Sequence, residues 1–266
     1  MEKLFDSHAH YYDSRFERES GDTDALLKAL FADRVGYIVN IGTDLENSRI
    51  CIAQAAKYPN MYCSVGIHPS DGQGYADPDK ALAELEALLG TPESRAARKI
   101  VALGEIGLDY HYDDTDKPKQ AYLFEEQLKM AERHDLPVII HDRDAHGDCF
   151  DAVLRHPSVR GIFHSYSGSA EMAKDLTRRG WYISFSGVAT FKNAPKVREA
   201  IAAVPDELLL IETDAPYLAP VPHRGKMNHS GLMLHTAEAV GEVRGITTDA
   251  AIALTRENAK RFFSIK

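Results

Sequence analysis

Gly36-Tyr-Ile-Val-Asn-Ile41 and Met61-Tyr-Cys-Ser-Val-Gly-Ile67 are short apolar runs, and each is followed by a longer segment with room for a helix. Near-continuous apolar runs bounded by Gly or Pro are typical of strands that are covered on both faces. The chain contains eight such runs, of which the first is the shortest: Leu4-Phe5, Gly36–Ile41, Met61–Ile67, Ile100–Leu103, Pro137–Ile140, Gly161–Phe163, Trp181–Phe185 and Leu208–Ile211. We therefore predict eight strands.

The segments between the runs carry helical signals. Leu82, Leu85 and Leu89 recur at helical spacing, and Val197–Val204 has a similar apolar stripe. Arg178-Arg179-Gly180 has the basic residues and the Gly that are typical of a helix exit. A strand and a helix repeated eight times predict an α/β protein with a (β/α)8 TIM barrel, as one domain over residues 1–266. An open doubly wound sheet is the competing fold, but no G-x-G-x-x-G or Walker A pattern supports it.

The composition excludes several classes of protein. The chain has 266 residues, which suits the roughly 250 residues of an α/β barrel. Its 44% hydrophobic and 27% charged residues argue against disorder. With 31 Lys and Arg against 40 Asp and Glu, the net charge is −9, so a protein that coats nucleic acid nonspecifically is excluded. A small basic site on an acidic protein remains compatible with this charge.

The cysteines and the start of the chain bear on its compartment. Cys51, Cys63 and Cys149 are scattered without C-x-x-C spacing, so we expect reduced, buried thiols rather than disulfides or a cysteine zinc site. The N-terminus lacks the apolar region of a signal peptide. No stretch approaches the roughly 18 apolar residues of a membrane span. We therefore expect a cytoplasmic protein that does not contact membranes; the oligomeric state stays open.

Polar side chains follow six of the eight predicted strands. In a barrel of this kind, the ends of the strands carry the chemistry. The residues at these ends are His or carboxylates in every case: Asp6, His8 and His10 after the first run, His68 after the third, Glu105 after the fourth, His141 after the fifth, His164 after the sixth, and Glu212 and Asp214 after the eighth. One His alone is usually structural, but six coincidences at equivalent positions indicate a metal centre.

The spacing of these residues suits metal binding. His8 and His10 are two residues apart, so both point to the same face of an extended strand. Four His with Glu105 and Asp214 are enough for two divalent ions that share one carboxylate. Two ions roughly 3.5–4 Å apart can activate a water and clamp a phosphoryl or carbonyl oxygen. The other seven His lie in loops or helices, and we expect most of them to be structural.

The sequence resembles the TatD-type metal-dependent deoxyribonucleases, a branch of the amidohydrolase-like barrels, over essentially the whole chain. Eight stretches in the family's order carry the resemblance: Asp6-Ser-His-Ala-His10, Gly66-Ile-His-Pro69, Gly104-Glu-Ile-Gly-Leu-Asp-Tyr110, His141-Asp-Arg-Asp-Ala145, His164-Ser-Tyr-Ser-Gly168, Ser184–Lys192, Glu212-Thr-Asp-Ala-Pro-Tyr-Leu-Ala-Pro220 and His223-Arg-Gly-Lys226.

The resemblance implies a ligand set. A first metal would be held by His8, His10, Glu105 and Asp214, and a second by Glu105, His141 and His164, with Glu105 as the bridge. His68 would face the substrate, and Arg224 would contact a phosphate. Asp214 and Glu105 are therefore the expected catalytic residues, with Asp214 taking the proton from the attacking water. The metal, whether Zn, Mg or Mn, stays open.

One loop departs from the family pattern. After His223–Lys226 the family usually continues with Asn-Glu-Pro and an aromatic residue, whereas this chain continues with Met227-Asn-His-Ser-Gly-Leu232. Asn228 is kept, but His229 and Ser230 replace the Glu-Pro pair. The loop follows the eighth strand and should border the mouth of the site, so the departure leaves the substrate preference open.

The expected function is hydrolysis of phosphodiester bonds at DNA ends, taken to be single-stranded, by an exonuclease with two divalent metal ions. Lys192, Lys226 and Arg143 are further candidates for phosphate contacts, and Tyr110 and Tyr166 for stacking on a base, although packing is the simpler role for both tyrosines. The same centre also suits hydrolysis of a small amide, ester or lactone. A third alternative is a metal-stabilised binding subunit without activity, but no expected ligand is missing.

Overall fold

The computed structural model describes residues 2–266. It contains eight strands, each as bounded here: β1 Leu4–Ala9, β2 Val35–Ile41, β3 Met61–Val65, β4 Ile100–Asp109, β5 Val138–Arg143, β6 Gly161–Phe163, β7 Tyr182–Phe185 and β8 Leu209–Ile211. The α-helices are α1 Ser14–Ser20, α2 Thr23–Ala32, α3 Leu45–Lys57, α4 Pro69–Gly72, α5 Pro78–Leu89, α6 Pro92–Ala97, α7 Lys117–His134, α8 His146–Arg155, α9 Ala170–Thr177, α10 Pro195–Ala203, α11 Met233–Arg244 and α12 Thr248–Phe262.

The strands follow one another in the sheet in chain order, from β1 to β8. The pairings of β1 with β2, of β4 with β5 and of β7 with β8 are parallel. Past the end of β8 the chain returns to β1, where Ala9 and Ala215 form a parallel bridge. This sequential order with a return to the first strand is the predicted (β/α)8 TIM barrel and excludes the open doubly wound sheet.

Two compact units make up the chain, one formed by the residues up to Asn40 with His164–Lys266 and the other by Ile41–Phe163. In the first unit, α12 packs against β1 and β8. In the second, α7 packs against β4, and β4 pairs with both β3 and β5. The apolar side chains of the strands are buried in each unit, for example Ile38 and Ile183 in the first and Ile106 and Ile140 in the second.

The strands extend further than their apolar runs. The first apolar run is the shortest in the sequence, but β1 has six residues, whereas β6 and β8 have three. Likewise β4 continues through Glu105 to Asp109, which pairs with Arg143 of β5. A strand continues as long as its backbone groups pair with a neighbour, whatever the polarity of its side chains. As a result His8, Glu105 and His141 lie within strands rather than after them.

The predicted helices at Leu82–Leu89 and Val197–Val204 correspond to α5 and α10, and Gly180 has a positive φ of 83° beyond the end of α9. All three cysteines are free and buried, as expected. Burial raises the pKa of the Cys63 thiol to about 12, so this thiol stays protonated at neutral pH. Between residues 2 and 266, no helix combines the length and the apolar character that crossing a membrane would need.

Candidate metal centre

His8 and His10 converge on Asp214 in the first unit. The two Nε2 atoms lie 3.1 Å apart, and they lie 3.7 and 3.2 Å from Asp214 Oδ1 respectively. The two imidazoles therefore share one face of β1, as their spacing predicts. The His164 ring stacks on the His8 ring with 3.9 Å between centroids. His8, His164 and Asp214 present ligand atoms that all lie within 4.8 Å of one another.

Backbone hydrogen bonds hold Asp214 opposite the two histidines. The Asp214 N–H donates to the His8 carbonyl at 2.9 Å, and the His10 N–H donates to the Ala215 carbonyl at 2.7 Å. Asp214 has a φ of +57°, a left-handed conformation that non-Gly residues adopt mainly where the surroundings impose it. Burial acts to raise the pKa of Asp214, but the hydrogen bond from His10 and the proximity of His8 and His164 bring it below its usual value. Asp214 is therefore an ionised carboxylate at neutral pH.

A buried carboxylate orients His164. Glu212 Oε1 lies 3.1 Å from His164 Nδ1 and accepts a hydrogen bond from the Ser165 N–H at 2.8 Å. When one ring nitrogen bonds a carboxylate, the opposite nitrogen becomes the ligand atom and the ring direction is set. His164 is thus oriented to ligate through Nε2. Glu212 follows the eighth apolar run, but the sequence pattern predicts no role for it.

The second unit brings Glu105, His141, Asp109 and His68 together. His141 Nδ1 lies 2.7 Å from Glu105 Oε1, and its Nε2 lies 3.1 Å from Asp109 Oδ2. His68 Nε2 lies 3.6 Å from the same Glu105 oxygen. Both carboxylates are buried. Asp109, which the sequence analysis did not single out although it lies within a quoted motif, holds His141 as Glu212 holds His164.

Two glycines allow this close packing. A Cβ on Gly107 would lie 2.0 Å from the His141 carbonyl oxygen, and Gly107 has a φ of +140°. A Cβ on Gly66 would lie 2.6 Å from the carbonyl carbon of Gly104, just before Glu105. Only glycine fits such approaches of one backbone to another. They bring the strand that carries Glu105 against its neighbours.

His68 has a defined tautomer. Its Nδ1 accepts a hydrogen bond from the Ser70 N–H at 3.1 Å, so the ring proton of the neutral imidazole lies on Nε2. The preceding residue, Ile67, is held by Gln127, whose amide bonds both the N–H and the carbonyl of Ile67. His68 thus presents an N–H donor on the side of Glu105.

The residues fit divalent cations. Their donor atoms are imidazole nitrogens and carboxylate oxygens, the mixed set that Zn²⁺ and Mn²⁺ accept. In the first unit, two imidazole nitrogens and a carboxylate oxygen, all acceptors when unprotonated, face one another in a buried position. Glu212 Oε2 is also buried, without a hydrogen-bond partner among residues 2–266. A bound cation would compensate such facing acceptors. Both units supply candidate ligands of the same two kinds, imidazole nitrogens and carboxylate oxygens.

The departing loop is tied to β1. The Ser230 hydroxyl donates to Asp6 Oδ2 at 2.7 Å, and its N–H donates to the Tyr11 hydroxyl at 3.0 Å. Asp6 also accepts hydrogen bonds from the Thr213 hydroxyl and N–H, and burial raises the pKa of Asp6 to about 6 despite these bonds. Asn228 donates to the Thr213 carbonyl. A Pro at position 230 could make neither of the Ser230 bonds, so this loop uses its own residues to brace the segment that carries Asp214.

We expect Ser230→Ala to lower the free energy of unfolding by about 1–3 kcal/mol, because it leaves a buried Asp6 oxygen without one of its donors. Urea denaturation followed by circular dichroism measures the change. The matched control is Ser158→Ala, which removes an exposed hydroxyl bond to Glu132 and should change the free energy by less than about 0.5 kcal/mol. Equal effects of the two substitutions would contradict the bracing role of Ser230.

The basic and aromatic candidates differ in their surroundings. The Arg224 guanidinium lies over the Phe191 ring, 4.5 Å from its centroid, and has no acidic partner among residues 2–266. Arg143 lies 4.0 Å from Asp109, whereas Lys192 and Lys226 are exposed. Tyr166 is buried, in agreement with a packing role, whereas the half-buried Tyr110 donates its hydroxyl hydrogen to Asp148. Most of the other histidines pair with carboxylates, as His134, His146 and His156 do.

Comparison with known proteins identifies the family. The model of the family described as TatD related DNase matches residues 5–264. The chain belongs to the TatD family. It is 36% identical over 264 residues to the uncharacterized metal-dependent hydrolase YabD of Bacillus subtilis, covering 98% of this chain and 99% of YabD. It is 33% identical over 270 residues to the uncharacterized metal-dependent hydrolase TatD of Mycobacterium tuberculosis, covering 98% of each chain.

A solved structure extends this result to the fold. The crystal structure of YjjV, a TatD homologue from Escherichia coli K12, matches with a TM-score of 0.89 and 32% identity, covering 99% of this chain and 98% of YjjV. The predicted resemblance is therefore confirmed, and the protein is a metal-dependent hydrolase of the TatD family.

Proposed function

We propose that this TatD-family hydrolase is a deoxyribonuclease that removes nucleotides from single-stranded DNA ends. The observation that favours a phosphodiester is Arg224, a guanidinium in the loop after β8 that lies on Phe191 without a carboxylate partner in the described chain. An unneutralised guanidinium in the loop that follows Asp214 can bind a phosphate oxygen well and offers little to a neutral lactone or amide. The description of the matching family supports the same substrate.

The proposed ligand set divides the buried donors between two divalent ions, Zn, Mg or Mn. His8, His10, Glu105 and Asp214 would hold the first ion, and Glu105, His141 and His164 the second. When bound, such ions stabilise charge on phosphoryl oxygens and make a water molecule more acidic. We further propose that all these residues belong to one domain over residues 1–266 of a cytoplasmic protein.

The protein's own side chains have separate roles in the proposed reaction. Asp214 Oδ1 faces the two histidines, which leaves Oδ2 to take the proton of the attacking water; the side chain is 16% exposed and can reach solvent. The water oxygen forms a bond to phosphorus, and the bond from phosphorus to the leaving oxygen breaks. We assign to His68 the donation of its Nε2–H to a phosphoryl oxygen, and to Arg224 the balancing of the charge of a phosphate. Glu212 and Asp109 keep His164 and His141 in their ring orientations.

A substrate panel tests the proposal. The protein, loaded separately with Mn²⁺, Mg²⁺ and Zn²⁺, is assayed with end-labelled single- and double-stranded DNA, with RNA and with a set of small esters, amides and lactones. We expect stepwise shortening of single-stranded DNA from an end. Faster hydrolysis of a lactone than of any phosphodiester would contradict the proposal and favour the small-molecule alternative. Metal binding without turnover on any substrate would favour the binding subunit.

Arg224→Ala provides an internal check on this assignment. We expect the KM for DNA to rise by roughly 10- to 150-fold, because a charge-assisted hydrogen bond contributes about 1.5–3 kcal/mol, while hydrolysis of an uncharged ester is unchanged. Arg178→Ala is the matched control, since Arg178 is an exposed guanidinium that is already paired with Asp175. An equal loss on both substrates would show that Arg224 acts on the fold rather than on phosphate.

A further inference from the structure

Tyr217 is an exposed aromatic ring close to the metal centre. It is 46% exposed although it lies only three residues after Asp214. Its N–H donates to the Asp214 carbonyl at 2.8 Å, and its carbonyl accepts a hydrogen bond from the Asn228 side chain at 2.7 Å. Both sides of its peptide backbone are therefore held, and its place relative to the ligand Asp214 is set.

Neighbouring side chains also immobilise the ring. The Arg15 guanidinium lies 3.9 Å from the ring centroid, and Asp13 accepts hydrogen bonds from Arg15 at 2.7 Å and from the Tyr217 hydroxyl at 3.3 Å. Because Asp13 neutralises Arg15, this guanidinium supports the ring rather than attracting a phosphate. The Tyr217 and His10 rings lie nearly perpendicular, with 6.2 Å between centroids and planes at 79°. Among residues 2–266, no other aromatic ring stacks on Tyr217.

We propose that Tyr217 is the stacking platform for the nucleobase that adjoins the phosphate bound at His8, His10 and Asp214. This inference rests on the proposed nuclease function and specifies how that site holds its substrate. A base stacks on any aromatic face without hydrogen-bond readout, so the platform holds a strand end whatever its sequence. A ring that is already immobile binds without a further loss of conformational freedom. The Arg15 guanidinium, 3.9 Å from the ring centroid, helps to hold the ring in position.

The stacking role predicts a difference between two substitutions. Tyr217→Phe keeps the ring and loses only the hydroxyl bond to Asp13, whereas Tyr217→Leu keeps the apolar bulk and loses the aromatic face. We expect Tyr217→Leu to raise the KM for an oligonucleotide by roughly 5- to 100-fold with little change in kcat. We expect Tyr217→Phe to stay within about twofold of the unaltered protein. Tyr122→Leu, which removes a 43% exposed tyrosine of α7, is the matched control.

Removing the base from the substrate gives the second arm of this test, alongside the substitution of Tyr217. Oligonucleotides that carry an abasic residue in place of the terminal nucleotide, at each end in turn, are compared with their intact forms. We expect the penalty of Tyr217→Leu to disappear on the oligonucleotide that is abasic at the end being digested. An equal penalty on intact and abasic substrates would overturn the stacking role while leaving the nuclease proposal standing. If the unaltered protein digests no DNA, both proposals fail together.

A spectroscopic measurement gives a second readout without turnover. An oligonucleotide with terminal 2-aminopurine is titrated into metal-loaded Asp214→Asn protein, because stacking quenches the fluorescence of this base. We expect the fluorescence to be quenched by Asp214→Asn protein that keeps Tyr217 and by the double variant with Tyr217→Phe. We expect no quench with the double variant that carries Tyr217→Leu. A quench that persists in Tyr217→Leu contradicts the proposal.

Discussion

We expect the replacement of Asp214 with Asn to reduce DNA hydrolysis by about 10³-fold or more and to leave the protein folded. The amide keeps the size of the carboxylate but loses its charge and its ability to take a proton, and general-base catalysis alone contributes about 10²- to 10⁴-fold. Asn tolerates the left-handed backbone conformation at φ +57°, so the hydrogen bonds of residues 214 and 215 to β1 remain. Ala would combine the chemical loss with backbone strain and would be harder to interpret.

The measurement combines turnover with two controls. Circular dichroism and thermal unfolding establish that the variant is folded, and elemental analysis by mass spectrometry establishes how much metal it retains. Asp175→Asn is the matched substitution, because Asp175 is an exposed carboxylate paired with Arg178. We expect activity within about twofold of the unaltered protein for that control. Undiminished turnover in Asp214→Asn would refute the assigned role.

We expect removal of metal by a chelator to abolish hydrolysis and to lower the melting temperature by roughly 5–15 °C. A ligand present at 100 to 1,000 times its Kd stabilises the folded state by about 2.7–4.1 kcal/mol, and 1 kcal/mol shifts the melting temperature of a chain of this size by about 2–4 °C. The physical cause is the group of buried acceptors around Asp214, which face one another without a cation when the metal is gone. Differential scanning calorimetry before and after chelation measures the shift.

Restoration and stoichiometry make this prediction specific. Adding back Zn²⁺, Mn²⁺ or Mg²⁺ one at a time should restore both the melting temperature and the activity, and elemental analysis should find two ions per chain. His141→Asn should remove about one of the two, since Asn replaces an imidazole ligand of the proposed second ion. An unchanged melting temperature after chelation, with no metal in the protein, would contradict the metal centre.

The ligand candidates could be found in the sequence because their signal is local. His8 and His10 lie at strand spacing, and each further candidate lies within three residues after an apolar run, so a parallel sheet places them at one end. The apolar runs and the helical segments between them also predicted the eight strands and the barrel fold. They did not give the ends of β1 and β4, because a strand ends where its backbone pairing ends, and the pairing partner is distant in sequence.

The supporting residues could not be found in this way. Glu212 and Asp109 lie within recognisable motifs, but nothing in those motifs says that each carboxylate bonds a particular histidine. Ser230 looked like a departure with consequences for substrate preference, and its contact with Asp6 spans 224 positions of the chain. Tyr217 lies within the motif Glu212–Pro220, but the exposure of its ring beside His10 depends on how that segment packs.

The sequence by itself determined the order of strands and helices, the buried faces of the strands and the chemical identity of the ligands, because these follow from local periodicity and residue type. Only the tertiary structure decided which carboxylate orients which imidazole, how the loop at Ser230 braces Asp6, and which aromatic ring lies open next to Asp214. Those contacts form when β8 returns to β1 and when β4 pairs with β5, so they depend on distances between residues that are far apart in the chain.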